Sequence, residues 1–154
     1  MTRRTLSLWL FSWTIVALGI GPCGPIAGGA LRGPEHTDTV SDWSFANAVP
    51  RCAVEVAGPH SVTVNCMSWQ QRLFVSCSVC EGKRWSGLAL EQSSGRIQIG
   101  EAIYPVELRR VTSADELDAV WRARAKKLEN DDPDPRPEGW WTFELTSRET
   151  GPAA

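Results

Sequence analysis

Histidine is scarce in this chain of 154 residues: His36 and His60 are the only two, each isolated in a stretch of loop composition. No Ser-His-Asp arrangement is legible, so hydrolase chemistry of that type has no support. Covalent haem attachment is unsupported too, because the one Cys-x-x-Cys, Cys77-Ser-Val-Cys80, is not followed by histidine. Asp131, Asp132 and Asp134 lack the glycine and terminal glutamate of an EF-hand loop and read as solvated loop residues. There is no internal repeat and no basic stripe, so nucleic-acid binding lacks an electrostatic footprint.

Charge is absent between Arg4 and Arg32. Within that window Leu6 to Ile20 is nearly all apolar, preceded by Arg3 and Arg4 and followed by Gly21-Pro-Cys-Gly-Pro-Ile-Ala-Gly-Gly-Ala30. A basic start, a short apolar run and a small-residue exit form the pattern of an export signal, with the arginines staying on the cytoplasmic side. Residues 1–30 are thus expected as an apolar helix acting as signal peptide or membrane anchor. Three outcomes stay open: cleavage near Gly29 or Ala30, retention as a single span, and lipidation of Cys23. The run is short against the ~20 apolar residues of a spanning helix. A buried core helix rarely runs so long without charge and then into glycine and proline. The localisation expected is cell membrane or secreted, with the domain on the extracytoplasmic side.

Of 16 basic residues two lie in that segment, leaving 14 against 18 acidic ones, a net charge of −4 for the remainder. Residues 31–41 read as a polar linker, 42–148 as one domain and 149–154 as a disordered tail. Four cysteines, Cys52, Cys66, Cys77 and Cys80, fall in the domain, an even number that permits disulfides after export.

From Cys52 onward the text reads as strands. Ala53–Ala57 is a short apolar run closed by Gly58-Pro59-His60. Ser61–Met67 alternates, with Val62, Val64 and Cys66 on one face; Leu73–Val79 does the same with Leu73, Val75, Cys77 and Val79. Trp69-Gln-Gln-Arg72 joins them as a hairpin, and if Ser68 faces Leu73 the two apolar faces coincide. Residues 84–92 predict a short helix with Trp85, Leu88 and Ala89 on one side. Arg96–Ile99, a Gly100-Glu101 turn and Ala102–Val111 predict a second hairpin with Ile97, Ile99, Tyr104, Val106 and Leu108 inward. Ser113-Ala-Asp-Glu116 has capping-box spacing. The helix predicted over 113–128 places Leu117, Val120, Trp121 and Leu128 on its apolar face and basic residues toward its C-terminus. After an acidic, proline-containing loop, Trp140–Thr146 reads as the last strand. The order is β-β-β-α-β-β-α-β.

Several clusters have more than one reading. A redox-active Cys-x-x-Cys normally sits at a helix N-terminus, whereas Cys77 ends a strand. A zinc site would need a second pair, and the spacing of Cys52, His60 and Cys66 is irregular. Cys66 and Cys77 share the apolar phase of adjacent strands as diagonal neighbours, as buried thiols or a disulfide, with Cys52 free to pair with Cys80 or another. Lys83-Arg84-Trp85 reads either as a phosphate grip or as a solvated turn with Trp85 packing under the helix. Alternation from Leu108 puts Arg110 on the apolar side, where it needs a partner or ligand, unless a bulge at Arg109-Arg110 exposes it.

Arg84-Trp85, Gly95-Arg-Ile-Gln-Ile-Gly100, Ile103-Tyr-Pro-Val106, Arg110-Val111, Glu116-Leu-Asp118, Trp121 and Trp141-Thr-Phe143 together resemble the split β-barrel proteins related to pyridoxamine phosphate oxidases and deazaflavin-dependent nitroreductases. The likeness covers about residues 61–148. It implies an α+β fold, a six-stranded split β-barrel with two helices, usually dimeric, with flavin mononucleotide or a deazaflavin at the dimer interface. It implies that Ser76, Ser78, Lys83 and Arg84 hold cofactor phosphate, with Trp85 and Arg110 lining the pocket. The catalytic residues are unknown on this reading, and no metal is implied. The competing expectation is a non-catalytic extracytoplasmic domain, stabilised by disulfides, that binds a small ligand or a partner protein.

Overall fold

The computed structural model describes residues 28–149. Leu6–Ile20 and Cys23 lie outside the described residues, as does all of the expected tail except Glu149. Among the described residues no helix is long and apolar enough to cross a membrane.

Among the described residues six strands and two helices follow in the order β1 (Cys52–Val56), β2 (Ser61–Trp69), β3 (Arg72–Cys77), α1 (Arg84–Glu91), β4 (Ser94–Ile99), β5 (Ala102–Arg110), α2 (Ala114–Lys127) and β6 (Trp141–Ser147), with a 3-10 turn at Ser44–Ala48 before them. The strands close into an antiparallel barrel in the order β1-β2-β3-β6-β5-β4. Ser68 pairs with Leu73, the register the hydrophobic alternation requires. Gln70 and Gln71 form the two-residue turn, both at positive φ, 52° and 64°. Both central residues of a type I′ hairpin need that geometry, which is why glycine or asparagine is usual there. Gly100 takes up the same region (φ 62°) in the β4–β5 hairpin. Gly95 answers a different need: a Cβ there would meet the Glu55 carbonyl oxygen of β1 at 2.8 Å, so closure of β4 on β1 depends on its missing side chain.

Every second residue points into the barrel. Val54, Val56, Val64, Cys66, Leu73, Val75, Ile97, Ile99, Val106, Leu108, Phe143 and Leu145 fill it. The opposite phase is also buried where α2 crosses the outer wall: Met67, Phe74, Val111, Val120 and Trp140 form a second core with Leu117 and Trp121. This explains an apolar stretch in β3 that strict alternation leaves unexplained. Val79, expected on the inner face, lies past the end of β3 and is 66% exposed. Leu128, expected on the apolar face of the second helix, is 52% exposed because it caps α2 as the chain turns away through Glu129 at φ 57°.

The capping box is not formed. Ser113 stands at the N-cap position of α2 without a side-chain hydrogen bond. Glu116 instead accepts a 2.6 Å bond from Arg72, which also reaches Glu144 at 2.5 Å. A charged donor outcompetes a neutral backbone N–H for that carboxylate. Arg109 binds the second oxygen of Glu144. These hydrogen bonds, Arg72 first, hold the Glu144 carboxyl below its ordinary value. Lys127, at the other end of α2, donates to the carbonyls of Ala46 and Cys66 and so ties the helix to the 3-10 turn and to β2; burial pushes its ammonium group down.

Residues 31–41, read from composition as a linker, lie along the barrel. The Leu31 N–H donates to Glu55 at 2.8 Å, and His36 and Pro34 bracket Ile103 through backbone bonds of 2.7 and 2.9 Å. Pairing of β5 with β6 begins only at Val106, so the segment occupies the β5 edge that β6 leaves open.

Among the described residues two disulfides are present, Cys52–Cys66 and Cys77–Cys80. The Cys66–Cys77 pairing suggested by strand phase does not occur. Cys52 faces Val64 across β1 and β2, which makes Cys66 its diagonal neighbour inside the barrel, Cα to Cα 5.8 Å.

Candidate functional site

Strand β2 serves two partners. Ser61 to Val64 pair with β1, and Asn65 to Trp69 pair with β3. The change falls between Val64 and Asn65, and beyond the Asn65–Ser76 pair β3 parts from β2 while staying paired with β6 to Cys77. A cleft of about 310 Å³ opens there. Its wall carries outward-phase residues of both strands, Thr63 and Asn65 from β2 and Ser76 from β3, continued by Ser78. Arg51, just before β1, and Lys83, at the N-cap position of α1, supply two cations. Trp85 supplies an apolar flank, its ring 5.5 Å from that of Phe143.

Ser76 is the unusual member. It is 2% exposed, yet its Oγ has no hydrogen-bond partner, a state it shares among the described residues only with Arg124 Nε among buried side-chain polar atoms. Buried hydroxyls are nearly always satisfied, and one left open at a cleft wall points to an external acceptor or donor. Ser78 and Lys83 are exposed and free to turn toward the same space. Two cations, three hydroxyls and an amide around one small volume suit a phosphate group, which takes charge-assisted hydrogen bonds from such donors. The donor set therefore fits the phosphate end of a flavin-type cofactor.

The segment joining the two halves of the cleft is short and tied. Cys77, on the wall, is bonded to Cys80, which is fully buried. The Cys80 carbonyl accepts the Lys83 N–H at 3.1 Å and the Ser86 hydroxyl at 2.5 Å. The strand end that carries Ser76 and Ser78 is thereby fastened to the helix start that carries Lys83.

Of the residues expected at a cofactor site, Ser76, Ser78, Lys83 and Trp85 come together. Arg84 does not: helical geometry turns it away from Lys83 toward a groove of about 70 Å³ bordered by Val56, His60 and Leu88. Arg110 also lies elsewhere. The ladder runs without a bulge through Arg110–Phe143, and the guanidinium stacks 3.7 Å over the Trp141 ring. Arg51, Thr63 and Asn65 were missed by the sequence reading. The signal for two of them was available, since a register with Ser68 opposite Leu73 places Asn65 opposite Ser76 and Thr63 two residues on. Arg51 carries no such signal, because it depends on how β1 meets β2.

Two larger clefts, about 750 and 770 Å³, flank α2, one beside Asn47, Ser68 and Lys127 and the other beneath the acidic loop at Trp121 and Arg136. Neither contains a residue of the expected cofactor set. Among the described residues no group of three or more His, Cys, Asp or Glu side chains is placed to hold a metal ion.

No family model and no curated protein matches the chain. Solved structures do match in fold. A Bacteroides thetaiotaomicron protein assigned provisionally to 5-nitroimidazole antibiotic resistance superposes with a TM-score of 0.58 at 9% identity, over 74% of this chain and 84% of that one. A Listeria innocua protein assigned provisionally as a pyridoxamine 5′-phosphate oxidase gives 0.52 at 7% identity, over 68% and 89%. Campylobacter jejuni ChuZ gives 0.53 at 9% identity, over 68% of this chain and 50% of that one. At such identities the likeness is one of fold, and the closed six-stranded barrel is the split barrel that the sequence resemblance implied.

Proposed function

We propose that this split-barrel domain binds a phosphate-bearing ring cofactor, flavin mononucleotide or a deazaflavin, and serves as an oxidoreductase of that class. The observation that carries the reading is the unpartnered, buried Ser76 hydroxyl on the wall of a cleft that also gathers Arg51, Ser78 and Lys83. Lys83 and Arg51 neutralise phosphate charge, Ser76 and Ser78 orient it, and Trp85 offers an apolar surface beside it. When bound, such a cofactor supplies the electron or hydride chemistry; the protein supplies position and electrostatics. That division of labour accounts for a cleft with no paired general acid and base. A homodimer and attachment or export through residues 1–30 belong to the same proposal.

The test is titration of the purified full-length chain with flavin mononucleotide and with a deazaflavin, followed by cofactor fluorescence. Lys83→Ala should weaken binding about tenfold or more, as expected for loss of a charge-assisted contact. Arg84→Ala should leave it unchanged, because Arg84 lies outside the cleft. Equal losses in both variants, or no binding to either cofactor, would sink the reading.

The two disulfides favour a second reading: an extracytoplasmic domain that keeps the barrel without the cofactor and binds a small ligand or a partner protein. Disulfides persist in oxidising compartments, which supports export in either case. Failure of both cofactors to bind, with a C-terminal tag digested by protease added outside the cytoplasmic membrane, would favour this second reading.

A further inference from the structure

We propose that Cys77–Cys80 is an exchangeable disulfide whose reduction by a small dithiol loosens the anion cleft, so that the protein's affinity for phosphate-bearing ligands follows the thiol redox state around it. The inference rests on the cofactor reading above and names a control on the same site.

The two disulfides differ in what surrounds them. Cys52 and Cys66 lie inside the barrel among its core side chains, 3% and 1% exposed. Cys77 lines the cleft with Ser76 and Ser78 beside it in sequence, and it is the most exposed of the four cysteines at 9%. A reductant small enough to enter the cleft therefore meets Cys77 Sγ first. Sequence separation points the same way: Cys77–Cys80 closes a span of 3, against 14 for Cys52–Cys66. The shorter loop restrains the unfolded chain less, so its opening leaves the barrel folded.

The exchange balances as follows. One thiolate of the dithiol attacks Cys77 Sγ, the Cys77–Cys80 bond breaks, and Cys80 leaves as a thiolate. The second thiol of the reductant then attacks the mixed disulfide and releases Cys77. The dithiol becomes a cyclic disulfide, two electrons pass to the protein, and two protons end on the cysteine sulfurs. The consequence for the cleft follows from Cys80, whose carbonyl holds the Lys83 N–H and the Ser86 hydroxyl. With the sulfur link open, the loop from Ser78 to Lys83 loses its covalent tie to the strand end, which itself stays paired with β6 through Cys77. The donors must then be ordered at each binding event, and affinity falls.

The experiment uses the full-length protein in graded dithiothreitol, with alkylation and peptide mass analysis to score each cysteine, and with flavin mononucleotide and inorganic phosphate as separate probes. Cys77 and Cys80 should become alkylated at a reductant level that leaves Cys52 and Cys66 protected and the far-ultraviolet dichroism intact. Affinity for both probes should then fall about tenfold, the effect of re-ordering one or two loop side chains. The double variant Cys77→Ser, Cys80→Ser should show the lowered affinity at once and no response to dithiothreitol. Release of all four cysteines together, or equal affinity in the oxidised and reduced forms, would overturn the proposal. If neither form binds either probe, the cofactor reading falls and the coupling with it, while the alkylation pattern still reports which disulfide exchanges.

Discussion

Replacing Ser76 by alanine should stabilise the ligand-free domain while weakening its hold on phosphate. The hydroxyl is buried, 2% of the residue being exposed, and no group among the described residues bonds it. A buried polar group left unpaired costs about 1–3 kcal/mol, and alanine removes that group at almost no change in volume. The gain in stability should therefore be about 1–2 kcal/mol, or roughly 3–10 °C in the midpoint of thermal unfolding for a domain of this size. Flavin mononucleotide binding should weaken by about tenfold or more, since a hydrogen bond to a charged partner contributes about 1.5–3 kcal/mol. Thermal denaturation by circular dichroism gives the first quantity and fluorescence titration the second. Opposite signs are the signature of a site that holds an unsatisfied group ready for a ligand. A destabilised Ser76→Ala protein would refute the reasoning, because it would mean that the native fold already satisfies this hydroxyl.

Removing the barrel disulfide as Cys52→Ala, Cys66→Ala should cost about 3 kcal/mol by the loop-entropy account for a loop of this length, lowering the thermal midpoint on the order of 10 °C; a loss under about 1 kcal/mol in chemical denaturation would speak against it. Acid titration should single out Glu144. Its folded carboxyl is held below the ordinary value by Arg72 and Arg109, so its contribution is complete above the unfolded carboxylate pKa, about 4.3, and is lost as pH falls through the lower folded value. Glu144→Gln should accordingly be less stable than the parent at neutral pH and converge with it in acid; parallel stability profiles would contradict the network.

Much of the fold was legible because strand pairing and helix periodicity are short-range properties. The Ser68–Leu73 register follows from matching two alternating apolar sets across a two-residue turn, since a slip of one residue would put the sets on opposite faces. The short helix with Trp85, Leu88 and Ala89 on one side, and the longer one with Leu117, Val120 and Trp121, follow from spacing alone. Of the cofactor set, Ser76, Ser78 and Lys83 could be placed near one another because they lie within eight residues around one strand end.

What the sequence by itself determined about this protein is its order of strands and helices, the register of its hairpins and the polar strand end at Ser76 and Ser78, all consequences of neighbours along the chain or across one turn. Only the tertiary structure decided the rest. Closure of β4 on β1, where Gly95 meets the Glu55 carbonyl, joined two strands far apart in sequence, a contact no local pattern encodes. The crossing of α2 buried Met67 and Phe74 on the outer wall of the barrel, and the charge of Arg72 drew Glu116 away from its cap. The change of partner in the middle of β2 opened the cleft and admitted Arg51 while helical rotation sent Arg84 elsewhere. Each of these depends on which surfaces meet once the sheet curls into a barrel, and packing between distant segments sets that geometry, which the period of any one of them does not contain.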